Sequence, residues 1–196
     1  MPVITPDSLL SLEEYTKRRP ELRKAAMQKK KLRQVFLGDN VMLQFENEDT
    51  IRYQIQEMLR VEKTFEQQGI MDELDAYNPL VPDGHNWKAT MMIEFPDVEE
   101  RRKKLVELKG LERKTYLQVG ELAKSYAIAD EDLPRETEEK TSAVHFMRFE
   151  LNREMIRAVK EGAPIAAGVD HPAYKVHIAE IAPETQASLA DDLQLS

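Results

Sequence analysis

Apolar positions along this chain come in short blocks, and their spacing switches repeatedly between strand and helix periods. Val35-Phe36-Leu37 and Val41-Met42-Leu43-Gln44-Phe45 are two brief apolar arms around Gly38-Asp39-Asn40, the pattern of a β-hairpin. Over residues 49–68, Ile51, Ile55, Met58, Leu59 and Phe65 share one helical face. Asn47 or Asp49 offers that helix a cap, and Gly69 is expected to end it. A shorter helix over 70–78 turns Met71, Leu74 and Tyr77 inward before Pro79 and Pro82 stop it.

Beyond the prolines, residues 88–95 read as a strand, and Pro96-Asp97 opens a charged helix ending near Gly110. Residues 115–119 and 122–128 predict a second hairpin around Gly120-Glu121, followed by an exposed acidic loop over 129–141. Residues 143–151 make the best single strand, apolar on both faces and therefore expected at the centre of a sheet. Asn152 caps a helix to Glu161; 165–169 and 176–181 are further strands, and 187–193 is a short helix or frayed tail. At the other end, Thr5, Pro6 and Asp7 are suited to a helix start, with Leu9, Leu10, Leu12 and Tyr15 as its apolar side. Pro20 is expected to break that helix before a basic continuation over 21–33. Hairpins and helices without a regular βαβ alternation predict an α+β fold, with about seven or eight short strands in a mixed or mainly antiparallel sheet and five or six helices. A single domain over 1–196 is expected, with 1–34 a basic N-terminal helical segment.

Charge changes that picture. The net −8 conceals nine basic side chains between Lys17 and Arg33 against the single acid Glu21, leaving the rest of the chain at −16. A basic helix on an acidic body suggests docking to an acidic partner or to a second copy. Nucleic acid is the weaker expectation, because aromatic or Gly-rich readers do not accompany the basic stretch. There is no cysteine, which excludes disulfides, thiolate nucleophiles and Cys-ligated metals in this chain. No apolar run approaches the ~20 residues of a membrane span, and no signal-peptide pattern opens the chain, so a cytoplasmic location is expected.

Motifs for chemistry are sparse. The seven glycines form neither a P-loop nor a dinucleotide fingerprint, and Gly-x-Ser-x-Gly does not occur. Asp72, Glu73 and Asp75 crowd one short helix, but the Glu-x-x-His pairs of di-iron bundles are missing. Asp170-His171-Pro172-Ala173-Tyr174 places a carboxylate, an imidazole and a phenol beside a strand end, making Asp170, His171 and Tyr174 catalytic candidates. Glu57 joins them, and a small metal-dependent enzyme would use His171 and Glu57 as ligands. Gln56 and Arg60, four apart, share a helix face and are binding candidates. No cofactor is indicated by these residues.

Longer phrases carry a resemblance. Ile4-Thr5-Pro6-Asp7, Leu12-Glu13-Glu14-Tyr15, Phe45-Glu46-Asn47, Gln54 through Arg60, Asp72 through Asn78, Ala89-Thr90 through Glu94, Ser142-Ala143-Val144 and Asp170 through Tyr174 follow one another in this order. The chain in this respect resembles one small bacterial family, a domain of unknown function numbered three-five-zero-one. Its members tend to be encoded beside rubrerythrin-like di-iron proteins and heterodisulfide-reductase-like iron–sulfur proteins. The resemblance therefore implies an accessory, partner-binding role in redox or peroxide handling. It transfers no catalytic residue; its phrases place polar groups at Glu46, Gln56, Glu57, Arg60, Asp75, Asn78, Arg148, Asp170, His171 and Tyr174, of which Asp75, Asn78 and Arg148 join Gln56 and Arg60 as binding candidates.

Overall fold

Strand alternation builds the core. In the computed structural model, which describes residues 4–195, β1 (Gln34–Leu37), β2 (Val41–Glu46), β3 (Asn86–Ile93), β6 (Ile128–Ala129) and β7 (Val144–Glu150) form one sheet in the order β1-β2-β3-β7-β6. β4 (Thr115–Val119), β5 (Ser125–Tyr126), β8 (Ile165–His171) and β9 (Tyr174–Ile178) form another, in the order β5-β4-β8-β9. Every pairing is antiparallel. Register sets Leu43 opposite Met91 and Trp87 opposite Phe149, so one face of the larger sheet is continuously apolar. That face meets Leu117, Val119, Ile165, Ala167 and Val169 of the smaller sheet in a single buried cluster. Each large side chain so buried contributes on the order of 1.5–3 kcal/mol.

Helices α1 (Leu12–Leu32), α2 (Glu48–Val61) and α3 (Gln67–Tyr77) lie over the other face of the larger sheet. They enclose a second cluster of Ile4, Ile51, Ile55, Leu59 and Leu74. This explains why all six residues of β2 are buried: the strand is covered on both sides. Helix α4 (Val98–Glu107) is capped by Asp97 and helix α5 (Arg153–Lys160) by Asn152, while α6 (Pro183–Asp191) places Leu189 in the main core. The Trp87 indole donates to the Leu189 carbonyl at 2.8 Å, locking α6 to β3.

Several expectations need correction. Thr5 precedes only a single 3-10 turn; α1 starts later, at Leu12 with Ser11 as its cap, and runs through Pro20 without a break. Pro20 removes the N–H that would reach the Thr16 carbonyl, but both residues face solvent, where water satisfies that group. Helix α2 stops at Val61, Lys63 takes a φ of 55°, and Gly69 lies inside α3 rather than ending α2. Gly69 is needed because a Cβ there would stand 2.5 Å from the Thr64 methyl. Phe65, assigned to a buried helical face, lies between the two helices and is 75% exposed. The strand expected over 122–128 shrinks to β5, because after Ala127 the chain leaves the smaller sheet and pairs with β7 as β6. Of the loop expected over 129–141, Ala129 belongs to β6, and the rest has no regular structure yet ends on the buried Thr141. Of the two alternatives for 187–193 the structure has the helix, which begins earlier and spans Pro183–Asp191.

Candidate functional site

A cleft of about 590 Å³ separates α2 and α3 from the outer face of β3 and β7. It brings together two of the binding candidates, Arg148 and Asp75, with Lys88, Glu73, Tyr77 and Glu131. Met58, Phe146 and Leu80 supply apolar wall. Arg148 is clamped by Glu131, which takes Nε at 2.9 Å and Nη2 at 2.7 Å, and by Glu150 at 2.5 Å from Nη1. The Arg148 bonds in turn hold the Glu131 carboxyl below the usual carboxylate range. Lys88 donates to the Pro79 carbonyl at 3.0 Å. Burial pushes its ammonium down, and the neighbouring Arg148 adds to that. Across the cleft Glu73 is pushed up by burial and by Glu62 and Asp72. Lys88 and the carboxylate-clamped Arg148 thus stand on the sheet wall, facing Glu73 and Asp75 on the helix wall.

The residues of the Asp170–Tyr174 motif do not converge on one reacting position. His171 is buried; its Nε2 donates to the Lys109 carbonyl at 2.9 Å, and its Nδ1 accepts from the Ala173 N–H at 3.1 Å. Both ring nitrogens are therefore engaged by backbone. Tyr174 reaches the first hairpin, donating to the Leu37 carbonyl at 2.5 Å and accepting from the Asn40 N–H at 3.3 Å. Asp170 accepts from Tyr126 at 2.6 Å and Lys124 at 3.0 Å, which keep its carboxyl below the ordinary range.

Gln56 and Asn78 act on the N-terminal segment. The Gln56 amide accepts the Leu10 N–H at 2.7 Å and donates to the Leu10 carbonyl at 3.3 Å; Asn78 does the same to Ile4 at 3.1 and 2.9 Å. Glu57, on another face of α2, is bound by Arg19 at 3.0 Å. Burial opposes its charge, but hydrogen bonds from Tyr53 and Arg19 prevail and hold it below the usual carboxylate range. Arg60 lies with Leu12 and Lys17 on a shallow surface between α1 and α2. Glu46 is buried and accepts the hydroxyls of Thr50 at 2.5 Å and Thr90 at 2.9 Å. Glu57 and His171 sit in different layers, and among the described residues no group of three or more His, Asp or Glu side chains is placed to hold a metal ion.

The basic stretch divides in two. Lys17, Arg19 and Lys29 pair with Glu13, Glu57 and Asp49, and Arg33 is buried. By contrast Arg23, Lys24 and Lys31 point outward around Pro20 and Met27 and make no ion pair with a described residue.

Two constellations were not legible in the sequence. Lys88 was hidden inside a strand pattern. His145, fully buried, is held between Asp130 at 2.5 Å on Nδ1 and Thr141 Oγ1 at 2.9 Å on Nε2. Thr141 in turn donates to the buried Glu112 at 3.2 Å. Asp130 takes a φ of 56° to make this contact, which ties the 130–141 loop to β7. The non-glycine residue in a left-handed conformation could not be foreseen from composition.

An α+β domain of two antiparallel sheets under a helical layer, with no group of three or more His, Asp or Glu placed to hold a metal among its described residues, is the class of protein this fold defines. The chain belongs to the family described as "Protein of unknown function (DUF3501)", which matches residues 3–193. It is similar to a crystal structure at 1.90 Å of a novel protein of unknown function from Burkholderia pseudomallei K96243. The two are 52% identical, with a TM-score of 0.93 over 99% of this chain and 100% of the other. No curated protein matches the chain. No described helix is long and apolar enough to cross a membrane.

Proposed function

We propose that this protein is a cytoplasmic accessory protein that docks an acidic redox partner through the outer face of α1. The observation that carries the reading is the set of outward cations Arg23, Lys24 and Lys31, unpaired by any described residue, around Met27, which is 37% exposed. Basic groups on an acidic body are otherwise drawn into internal ion pairs, as Arg19 and Lys29 are. A rim of cations around one flexible thioether suits an acidic surface with a small apolar centre. The redox character of the partner is the company that the family resemblance implies, rubrerythrin-like or iron–sulfur proteins.

The test is association with such partners as salt is varied. A complex should form at about 20 mM salt and weaken sharply by about 300 mM, as the Debye length falls below the span of the face. The double variant R23E/K24E should weaken it by at least roughly tenfold. Absence of any complex at low salt overturns the reading, and self-association with the same salt response would put a second copy in the partner's place.

A further inference from the structure

The cleft between α2, α3 and the sheet has a lysine on one wall. Trp87 and Ala89 point into the main core, so Lys88 between them points to the opposite face of β3, toward the helices. Its Nζ donates to the carbonyl of Pro79, in the turn that follows α3, at 3.0 Å. Both residues line the cleft, so this bond fixes Nζ between two of its walls. The cleft is separate from the outer face of α1 and does not depend on a partner docking there.

Its electrostatic setting differs from that of other lysines. Lys104 and Lys124 stand beside Glu107 and Asp170, whose hydrogen bonds hold their ammonium groups up. Lys88 forms no ion pair with a described residue: Glu131 and Glu150 act on it through space, but both are bound to Arg148. Burial pushes its ammonium down, and the Arg148 cation adds to that. A lysine desolvated in a cavity and set beside another cation holds a larger share of neutral amine, whose lone pair attacks carbonyl carbon. The neutral amine can still give one N–H to Pro79 and keep its lone pair free.

The walls narrow the class of ligand. Met58, Leu80 and Phe146 are apolar, and about 590 Å³ is enough for a small molecule. Asp75 and Glu131 disfavour an anion, and the Arg148 guanidinium is already clamped by two carboxylates.

We propose that Lys88 is a nucleophile that forms an imine with an uncharged, apolar aldehyde or ketone held in this cleft. The neutral Nζ attacks the carbonyl carbon, and a C–N bond forms to give a carbinolamine. The C–O bond then breaks, and the oxygen leaves as water with the two Nζ protons, so that a C=N bond remains. No electron is gained or lost in the step, and water is its other product. The apolar body lies against Met58, Leu80 and Phe146.

The experiment is reductive trapping on the full chain, with butanal or glyoxylate and cyanoborohydride at neutral pH, read by peptide mass mapping. Butanal should alkylate Lys88 at least roughly fivefold faster than the exposed Lys24, because a lowered ammonium carries more neutral amine. Glyoxylate, which is anionic, should show no preference for Lys88 over Lys24. Taking the ratio of the two lysines within each probe removes the difference in reactivity between the probes. The rate at Lys88 should also level off as butanal is raised to about 50 mM, the mark of binding before reaction. K88M, checked for an intact fold by circular dichroism, should lose the fast site and keep the rate at Lys24. Alkylation of Lys88 by butanal no faster than that of Lys24 overturns the proposal. An equal preference for Lys88 with glyoxylate, or a rate at Lys88 strictly proportional to butanal over that range, overturns it as well.

Discussion

Arg33 and Asp192, 159 residues apart, form an ion pair almost wholly removed from solvent. All five guanidinium donors are used: Nε on the Phe45 carbonyl, Nη1 on the carbonyl and hydroxyl of Ser188, and Nη2 on the Glu46 carbonyl and Asp192. Burial pushes the Asp192 carboxyl up to about 6 against the pull of Arg33, which still leaves it ionised at neutral pH. One side chain thus joins the end of α1 to β2 and α6.

Replacing Arg33 with methionine keeps its bulk but strands Asp192 and three backbone carbonyls. The expected loss is about 3–5 kcal/mol. A urea midpoint lowered by less than about 1 kcal/mol equivalent would show that the pair is not needed.

Gln56 and Asn78 each hold a short stretch of the N-terminal segment by copying a strand's pairing with a side-chain amide. Q56A and N78A should each cost about 1–2 kcal/mol locally. Amide exchange at Leu10 should quicken in the first variant and at Ile4 in the second, while the strands keep their protection. Global acceleration in either would contradict a local clamp.

Gly168 faces Tyr116 on one neighbouring strand and His177 on the other. A Cβ there would stand 2.4 Å from the Tyr116 hydroxyl and 2.5 Å from the Val176 carbonyl. G168A should therefore destabilise by roughly 1–3 kcal/mol, with the backbone contact preventing relief by a side chain alone. Thermal unfolding of G168A beside G162A is the measurement. Gly162 has open space, and its cost comes from a φ of 89° alone.

Arg135 grips Asp132 with two hydrogen bonds at 2.6 and 2.7 Å. They lower the Asp132 carboxyl to about 2. Its folded value lies below the ordinary ~3.9, so its contribution is present above pH ~4 and is lost as pH falls through the folded value. The side chain is 54% exposed, so solvent screening keeps that contribution small. Carbon NMR should find the Asp132 midpoint near 2 in the native chain and near the ordinary value in R135A; equal midpoints would refute the clamp.

The hairpins and most caps were readable because their signals are local. Gly38 at the first turn, Asn47, Asp97 and Asn152 before their helices, and the alternation of β3 and β7 all act within a few residues. Pro20 and Gly69 misled because their effect depends on what lies across from them: solvent in one case and a threonine methyl in the other. The candidate site residues were legible as polar positions but not as groups. Gln56 and Asn78 serve the chain's own backbone, His171 spends both nitrogens on backbone groups, and Arg148 shares a cleft with Asp75 only because α3 folds over β7. Lys88 becomes a half-buried cation on a cleft wall only once the layers are assembled.

The passage from β5 to β6 couples the two sheets mechanically. Tyr126 belongs to one sheet and Ile128 to the other, with only Ala127 between them. A single residue leaves no slack, so this segment works as a stitch through both layers. The sheets cannot part along that edge like the covers of a book without tearing ladder hydrogen bonds on both sides at once, and a pull on one is felt immediately by the other.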